Sequence, residues 1–190
     1  EFLVAEGQTD YIDKLLTNFA PKEVLFQRGK RNEFVSLFGS KFFTFELDDW
    51  MMTSNATLER IYKQWQVNSI KGFGVDNLPN GVIAAGAILY YLDATQHIQN
   101  GHIQQLSRIE EEKYVWLDRF TIRNLELVRG QNEDSRTLYD VLDHTVTPMG
   151  GRMLHRWMAL PLKEVRAIRN RQMVVEYLFK YPDQRQLLKQ

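Results

Sequence analysis

Apolar positions along the chain fall into two regimes. Up to about residue 100, short apolar runs alternate with stretches whose apolar residues recur every three or four positions. Residues 2–5, 23–27 and 41–47 predict strands, the second of them short and buried. Between them, residues 10–19 predict a helix with Ile12, Leu15, Leu16 and Phe19 on one side. Residues 31–38 predict another with Phe34, Leu37 and Phe38 inward. Asp48 is placed to cap a short turn through Trp50 and Met51, and Ser54 or Asn55 to cap a helix carrying Leu58, Ile61, Tyr62 and Trp65. Strands alternating with helices predict an α/β layer with partly parallel pairing.

Residues 68–81 hold Gly72, Gly74, Pro79 and Gly81 and read as a loop. Asn80 then caps a helix reaching about residue 98. That helix is apolar nearly all round at its start and contains Ala84, Ala85, Gly86 and Ala87, which predicts burial against close neighbours. Extended pieces at 101–108 and 113–117 flank the charged turn Glu110-Glu111-Glu112.

Beyond this point the periodicity is helical. A short helix is predicted over 121–128, then a polar loop over 129–136 and one helical turn at 138–142. Thr147 is an N-cap residue and Pro148 suits the first helical position, so a helix runs from there until Pro161 stops it. Met149, Met153 and Trp157, with Leu154 and Met158 beside them, make its apolar face; Arg152, His155 and Arg156 lie opposite. Gly150 and Gly151 sit in its first turns, where each costs ~1 kcal/mol relative to alanine. Either another backbone comes very close there or the turn must stay deformable. Residues 164–180 predict a helix with Val165, Ile168, Val175 and Phe179 inward; Pro182 ends it and Asp183 caps the last one. The fold class is therefore α/β followed by all-α, with domains at 1–100 and 117–190 and a linking segment at 101–116.

Composition narrows the chemistry. Formal charge balances to zero, with a mildly acidic first half and a mildly basic second, so the molecule as a whole is no electrostatic trap for nucleic acid. Cysteine is absent, which excludes disulfides and thiolate metal sites and fits a cytoplasmic location. The longest apolar run, residues 82–92, is well short of the ~18 residues of a membrane span. The opening Glu1-Phe2-Leu3-Val4 has no signal-peptide pattern and starts inside a strand pattern, which suggests a piece of something larger.

Three blocks carry a resemblance. Asp143–Trp157, DHTVTPMGGRMLHRW, followed by Pro161-Leu162-Lys163, resembles the start of the lever, or core, domain in the MutS family of DNA mismatch-repair proteins. Leu117–Leu127, LDRFTIRNLEL, resembles the signature preceding it in that family, matched at Asp118, Thr121, Arg123, Asn124 and Glu126. Residues 84–96, AAGAILYYLDATQ, resemble the last helix of the family's connector domain. The resemblance implies a ribonuclease H-like connector lacking its first strands, then the first helices of a helical lever. It also implies a parent that uses ATP and Mg, binds mismatched double-stranded DNA as a homodimer and meets MutL through the connector.

The motifs for the parent's two activities are not in this sequence. No glutamate has phenylalanine two residues before it, as the family's Phe-x-Glu mismatch reader requires; Glu46 has Thr44 there. No phosphate-cradling G-x-x-x-x-G-K-[ST] run is present. No catalytic, cofactor or metal residue is therefore expected in this stretch. Asp48-Asp49 and the three glutamates are adjacent in sequence and do not converge on one ion by themselves, and His97 with His102 lacks an acidic partner alongside.

What remains is structural and coupling chemistry. Asp118 or Thr121 can cap the following helix, and Arg123 and Glu126 can pair at i and i+3. With Asn124, Thr147, Gly150, Gly151, Arg152 and Trp157, these residues either pack the joint or couple connector to lever. Arg152, Arg156, Arg166 and Arg169 are candidates for weak phosphate contacts, against the alternatives of a solvated helix face or salt bridges to the acidic first half. Other open readings are a free-standing ribonuclease H-like interaction module, a metal nuclease of the same fold, and a MutS paralogue working outside mismatch repair.

Overall fold

The computed structural model describes residues 2–95, 100–128, 130, 132 and 135–189, with the side chains of Asn100 and Arg119 excepted. It divides into two compact units, Glu1–Asp13 with Ala20–Ile109, and Lys14–Phe19 with Glu110–Gln190. An α/β beginning gives way to a mostly helical remainder, as the hydrophobic pattern predicts.

In the first unit, strand β1 (Phe2–Val4) pairs in parallel with β4 (Leu106–Arg108), Phe2 facing Leu106 and Val4 facing Arg108. Strands β2 (Glu23–Gln27) and β3 (Phe43–Leu47) form a second parallel pair. Parallel neighbours need a crossover, and helix α2 (Arg31–Phe38) supplies the one between β2 and β3. Of β2 only Phe26 is buried, and Leu37 is half exposed, so neither lies as deep as their apolar character predicts. The reason is local: Phe34 gathers Phe26, Phe38 and Phe42 around its own ring at 5.1–6.1 Å, leaving Leu37 on the outer side.

The core is built on helix α3 (Ser54–Trp65) and helix α4 (Pro79–Ala94), whose Ile61, Val82, Ala85 and Leu89 pack with Phe2, Val4, Val75 and Leu106. Helix α1 (Thr9–Phe19) is shared between the two units. Helix starts differ from expectation in three places. Asp48 makes no cap; its carboxylate pairs with Arg28 at 2.6 Å. Thr53, not Ser54 or Asn55, precedes α3, and its hydroxyl donates to the Trp50 carbonyl instead of capping. Asn80 lies inside the first turn of α4, where its amide donates to Glu6; the Glu6 carboxylate also accepts from the Gly81 N–H at 2.9 Å and so serves as the cap. Glu6 is 75 positions from Gly81, beyond any local sequence signal.

The second unit is helical: α5 (Arg119–Asn124), α6 (Leu138–Leu142), α7 (Pro148–Ala159), α8 (Val165–Lys180) and α9 (Pro182–Leu187). Helix α5 begins and ends earlier than 121–128 because Asp118 caps it. Glu164 caps α8 through the Arg166 and Ala167 amides. Asp183 does not cap α9; it follows Pro182 inside the first turn. Val165, Val175 and Phe179 of α8 are exposed, Phe179 at 78%, against the inward placement their spacing predicts. A stripe at helical spacing marks a surface that can be buried, and here nothing among the described residues covers it.

Candidate functional site

The LDRFTIRNLEL block folds as a cap and a receiver. The Asp118 carboxylate accepts from the Thr121 N–H at 2.7 Å, and its hydrogen bonds to Thr121 hold its pKa below the ordinary aspartate value. Glu126 takes a left-handed backbone, φ 46°, which turns the chain sharply after α5. Its carbonyl then accepts the Leu138 N–H, and the Leu127 carbonyl accepts the Tyr139 N–H, both at 2.8 Å. Those donors belong to the first turn of α6, where a helix has no internal partners for them. Thr137 and Asp140 complete the start as a reciprocal capping box. The signature thus holds the next helix by backbone atoms, while Arg123 and Asn124 are exposed.

Helix α6 is joined to α7 by a polar cluster around the double glycine. Thr147 caps α7, accepting from the Gly150 N–H at 3.0 Å. Asp143 accepts from the Thr145 hydroxyl at 2.6 Å and its N–H at 3.0 Å, contacts that hold the Asp143 carboxyl below its usual range. The Tyr139 hydroxyl reaches the Gly151 carbonyl oxygen at 3.3 Å; hydrogen bonding to Asp143 and burial together raise its pKa. The His155 ring stands edge-on to Tyr139, 5.4 Å between centroids, and burial lowers its pKa.

The inward stripe of α7 is therefore Gly151, His155 and Ala159, four residues apart. Met149 and Met153 lie about 200° away at 100° per residue and are 71% and 51% exposed, a reversal of the predicted apolar face. The missing side chain at 151 lets Tyr139 and Thr145 come close, while Met149 and Met153 are left largely exposed. An added Cβ at Gly151 would meet Thr145 Oγ1 and Tyr139 Oη, each at 3.3 Å; at Gly150 it would meet the capping Thr147 Oγ1 at 3.2 Å. Side chains, not the second backbone that the double glycine predicts, are the close neighbours.

The arginines do not share one surface role. Arg152, Arg166 and Arg169 are exposed. Arg156 is half-buried and donates to the Tyr114 hydroxyl at 3.4 Å, and Trp157 lies under the Arg171 guanidinium at 3.9 Å. Tyr139, Asp143 and Glu6 do more at these contacts than pattern reading reveals; the one available signal was the Asp-x-Thr just ahead of the Thr-Pro cap. Among the described residues no three His, Asp or Glu side chains are placed to hold a metal, and no helix is long and apolar enough to cross a membrane. His97 lies outside the described residues.

The second unit thus carries a series of capped helices whose successive starts are held by hydrogen bonds. The model for MutS domain II matches residues 1–104, and that for MutS domain III matches residues 120–190. The chain is 57% identical to the DNA mismatch repair protein MutS of Bacteroides fragilis and 55% to that of Phocaeicola vulgatus, over 99% and 100% of its length. The protein of the same name from Porphyromonas gingivalis is 46% identical over 99%. The chain belongs to the MutS family and comprises its domains II and III, the connector and the start of the core or lever. It spans about a fifth of the length of these relatives.

Proposed function

We propose that this segment transmits conformational change within a MutS mismatch-repair protein, between an ATPase end and a mismatch-binding end that both lie in other parts of the parent. In this reading residues 1–100 are a ribonuclease H-like connector, 101–116 the link and 117–190 the first helices of the lever. The observation that carries it is the joint: Glu126 and Leu127 carbonyls seat α6, and the Tyr139 hydroxyl ties α6 to Gly151 of α7. A displacement of either helix is passed on because every link is a hydrogen bond or a close side-chain contact. Asp118, Thr121 and Thr147 set the helix starts; Gly150 and Gly151 admit the contacts; Arg123, Asn124, Glu126, Arg152 and Trp157 complete the coupling set. The parent would bind ATP with Mg and mismatched DNA as a cytoplasmic homodimer, and the connector would present a surface to MutL. Exposed Arg152, Arg166 and Arg169, with half-buried Arg156, would add at most weak, salt-dependent phosphate contacts.

The test is transplantation. The matched segment of the Bacteroides fragilis protein is replaced by this chain, and spontaneous mutation rate is measured in cells lacking their own MutS. Restoration to near the parental rate is expected; a rate equal to that without any MutS would refute a repair role.

A further inference from the structure

Asn80 and Gly81, in the first turn of α4, are each fixed by a residue far away in sequence. A Cβ at Gly81 would lie 2.7 Å from Val4 Cγ1 and 3.3 Å from the Ala5 carbonyl oxygen, so a side chain there would crowd Val4 and the backbone that follows it. The Asn80 side-chain amide donates to Glu6 Oε1 at 2.9 Å, and the Gly81 N–H donates to Glu6 Oε2, also at 2.9 Å. One carboxylate thus holds two neighbouring donors. The sequence contains Asn-Gly twice; at the other pair, Asn100-Gly101, a Cβ on the glycine would meet nothing within 4 Å, so packing imposes only the first.

An Asn-Gly pair is prone to spontaneous loss of its side-chain amide, because glycine leaves the following peptide nitrogen unhindered. That nitrogen gives its proton to water or hydroxide and attacks the asparagine Cγ. The N–Cγ bond forms, the bond from Cγ to the amide nitrogen breaks, and that nitrogen leaves as ammonia with a proton from solvent. Water then opens the cyclic imide at either carbonyl, so asparagine and water become ammonia and aspartate or isoaspartate. No oxidant or reductant enters. A helical backbone alone does not guard the pair, because the N–H groups of a first turn have no partner inside the helix.

Glu6 opposes the attack at both ends. The Gly81 nitrogen cannot lose its proton without giving up a charge-assisted hydrogen bond and placing negative charge beside a carboxylate. The Asn80 amide cannot turn onto that nitrogen while it holds Oε1. We propose that Asn80-Gly81 is a latent deamidation site that Glu6 keeps unreactive, and that conversion there follows loss of the Glu6 contact. Conversion then prevents the contact from re-forming. Aspartate at 80 sets a second carboxylate against Glu6. Isoaspartate adds a methylene to the backbone at the start of the helix that brings Val82, Ala85 and Leu89 to the core.

The experiment incubates this chain at mildly alkaline pH and follows Asn80 by peptide mapping with mass spectrometry, reading aspartate and isoaspartate separately. A synthetic peptide of residues 76–86 gives the unguarded rate. The chain should convert at Asn80 at least about tenfold more slowly than the peptide, because a charge-assisted hydrogen bond must break first. Glu6→Ala should accelerate conversion in the chain by about tenfold. Glu6→Gln, which keeps an acceptor without the charge, should fall between and serves if the alanine variant unfolds. Gly86→Ala separates guarding from general stability: it forces a Cβ to 2.6 Å from Thr57 Cα in the same unit with Glu6 in place, and should leave Asn80 slower than Glu6→Ala does. The proposal is overturned if the unaltered chain converts as fast as the peptide, if neither Glu6 variant converts faster than the unaltered chain, or if Gly86→Ala accelerates Asn80 as much as Glu6→Ala.

Discussion

Gly86 of α4 and Thr57 of α3 stand so close that a Cβ on the glycine would lie 2.6 Å from Thr57 Cα and 2.7 Å from its carbonyl oxygen. Thr57 is fully buried, and its hydroxyl bonds back to the Thr53 and Ser54 carbonyls, so no water is needed at the crossing. Around it the Arg60 guanidinium grips Asp93 with two bonds of 2.6 and 2.9 Å, and the Tyr90 hydroxyl donates to the Ala56 carbonyl. The connector core is organised on this helix pair.

Gly86→Ala should therefore destabilise the first unit by about 3 kcal/mol, the upper end for overpacking, because a backbone and not a side-chain tip must move. Urea unfolding should show a lower midpoint with unchanged slope. An unchanged midpoint would mean the helices separate freely.

At Gly151 the neighbours are the side-chain oxygens of Thr145 and Tyr139, so the effect should be milder. Gly151→Ala should cost about 1 kcal/mol, the low end of overpacking. In a Tyr139→Phe background, with the hydroxyl gone, that cost should shrink or change sign, since alanine in a helix otherwise gains up to ~1 kcal/mol over glycine. A double-mutant cycle by chemical denaturation reads the coupling. Additive effects would dismiss the contact.

His155 makes stability pH-dependent in a defined direction. Burial lowers its folded pKa, so below the unfolded value of about 6.5 the unfolded chain takes up the proton first. Stability is full above that pH and falls as pH drops through 6.5 toward the folded pKa. Replacing His155 by Gln should flatten that limb in thermal melts between pH 7 and 5.

Asp118, Asp140 and Asp143 act at lower pH. Hydrogen bonds to Thr121, Thr137 and Thr145 respectively depress their folded pKa values. Their contribution is present above the unfolded value of about 3.9 and lost as pH falls through the folded ones. Asp143→Asn should make the acid limb of the melting curve shallower. A curve superimposable on the parent would show the Asp143–Thr145 contacts to be inconsequential.

What was legible in the sequence follows how local each cause is. Thr147-Pro148 announced the start of α7, and Leu138–Leu142 forms the helical turn its apolar spacing predicts, because caps and periodicity act within a few residues. The three family blocks were legible for the same reason, as contiguous runs. Glu6 as the cap of α4 and Thr57 as the seat of Gly86 were not, because they are distant in sequence. The inward face of α7 was misjudged because Met149, Met153 and Trp157 outscore Gly151, His155 and Ala159 in hydrophobicity, while the deciding factor was room for Tyr139. Val165, Val175 and Phe179 of α8 are exposed against the inward placement their spacing predicts, because spacing marks an apolar face without saying what would cover it.

The most direct test of the coupling account is ATP turnover by the Bacteroides fragilis protein carrying this chain as its matched segment, with and without Tyr139→Phe. The account predicts that basal turnover and mismatch affinity stay near those of the unsubstituted chimera while the response of turnover to mismatched over matched duplex falls. An undiminished response in the Tyr139→Phe chimera would contradict it.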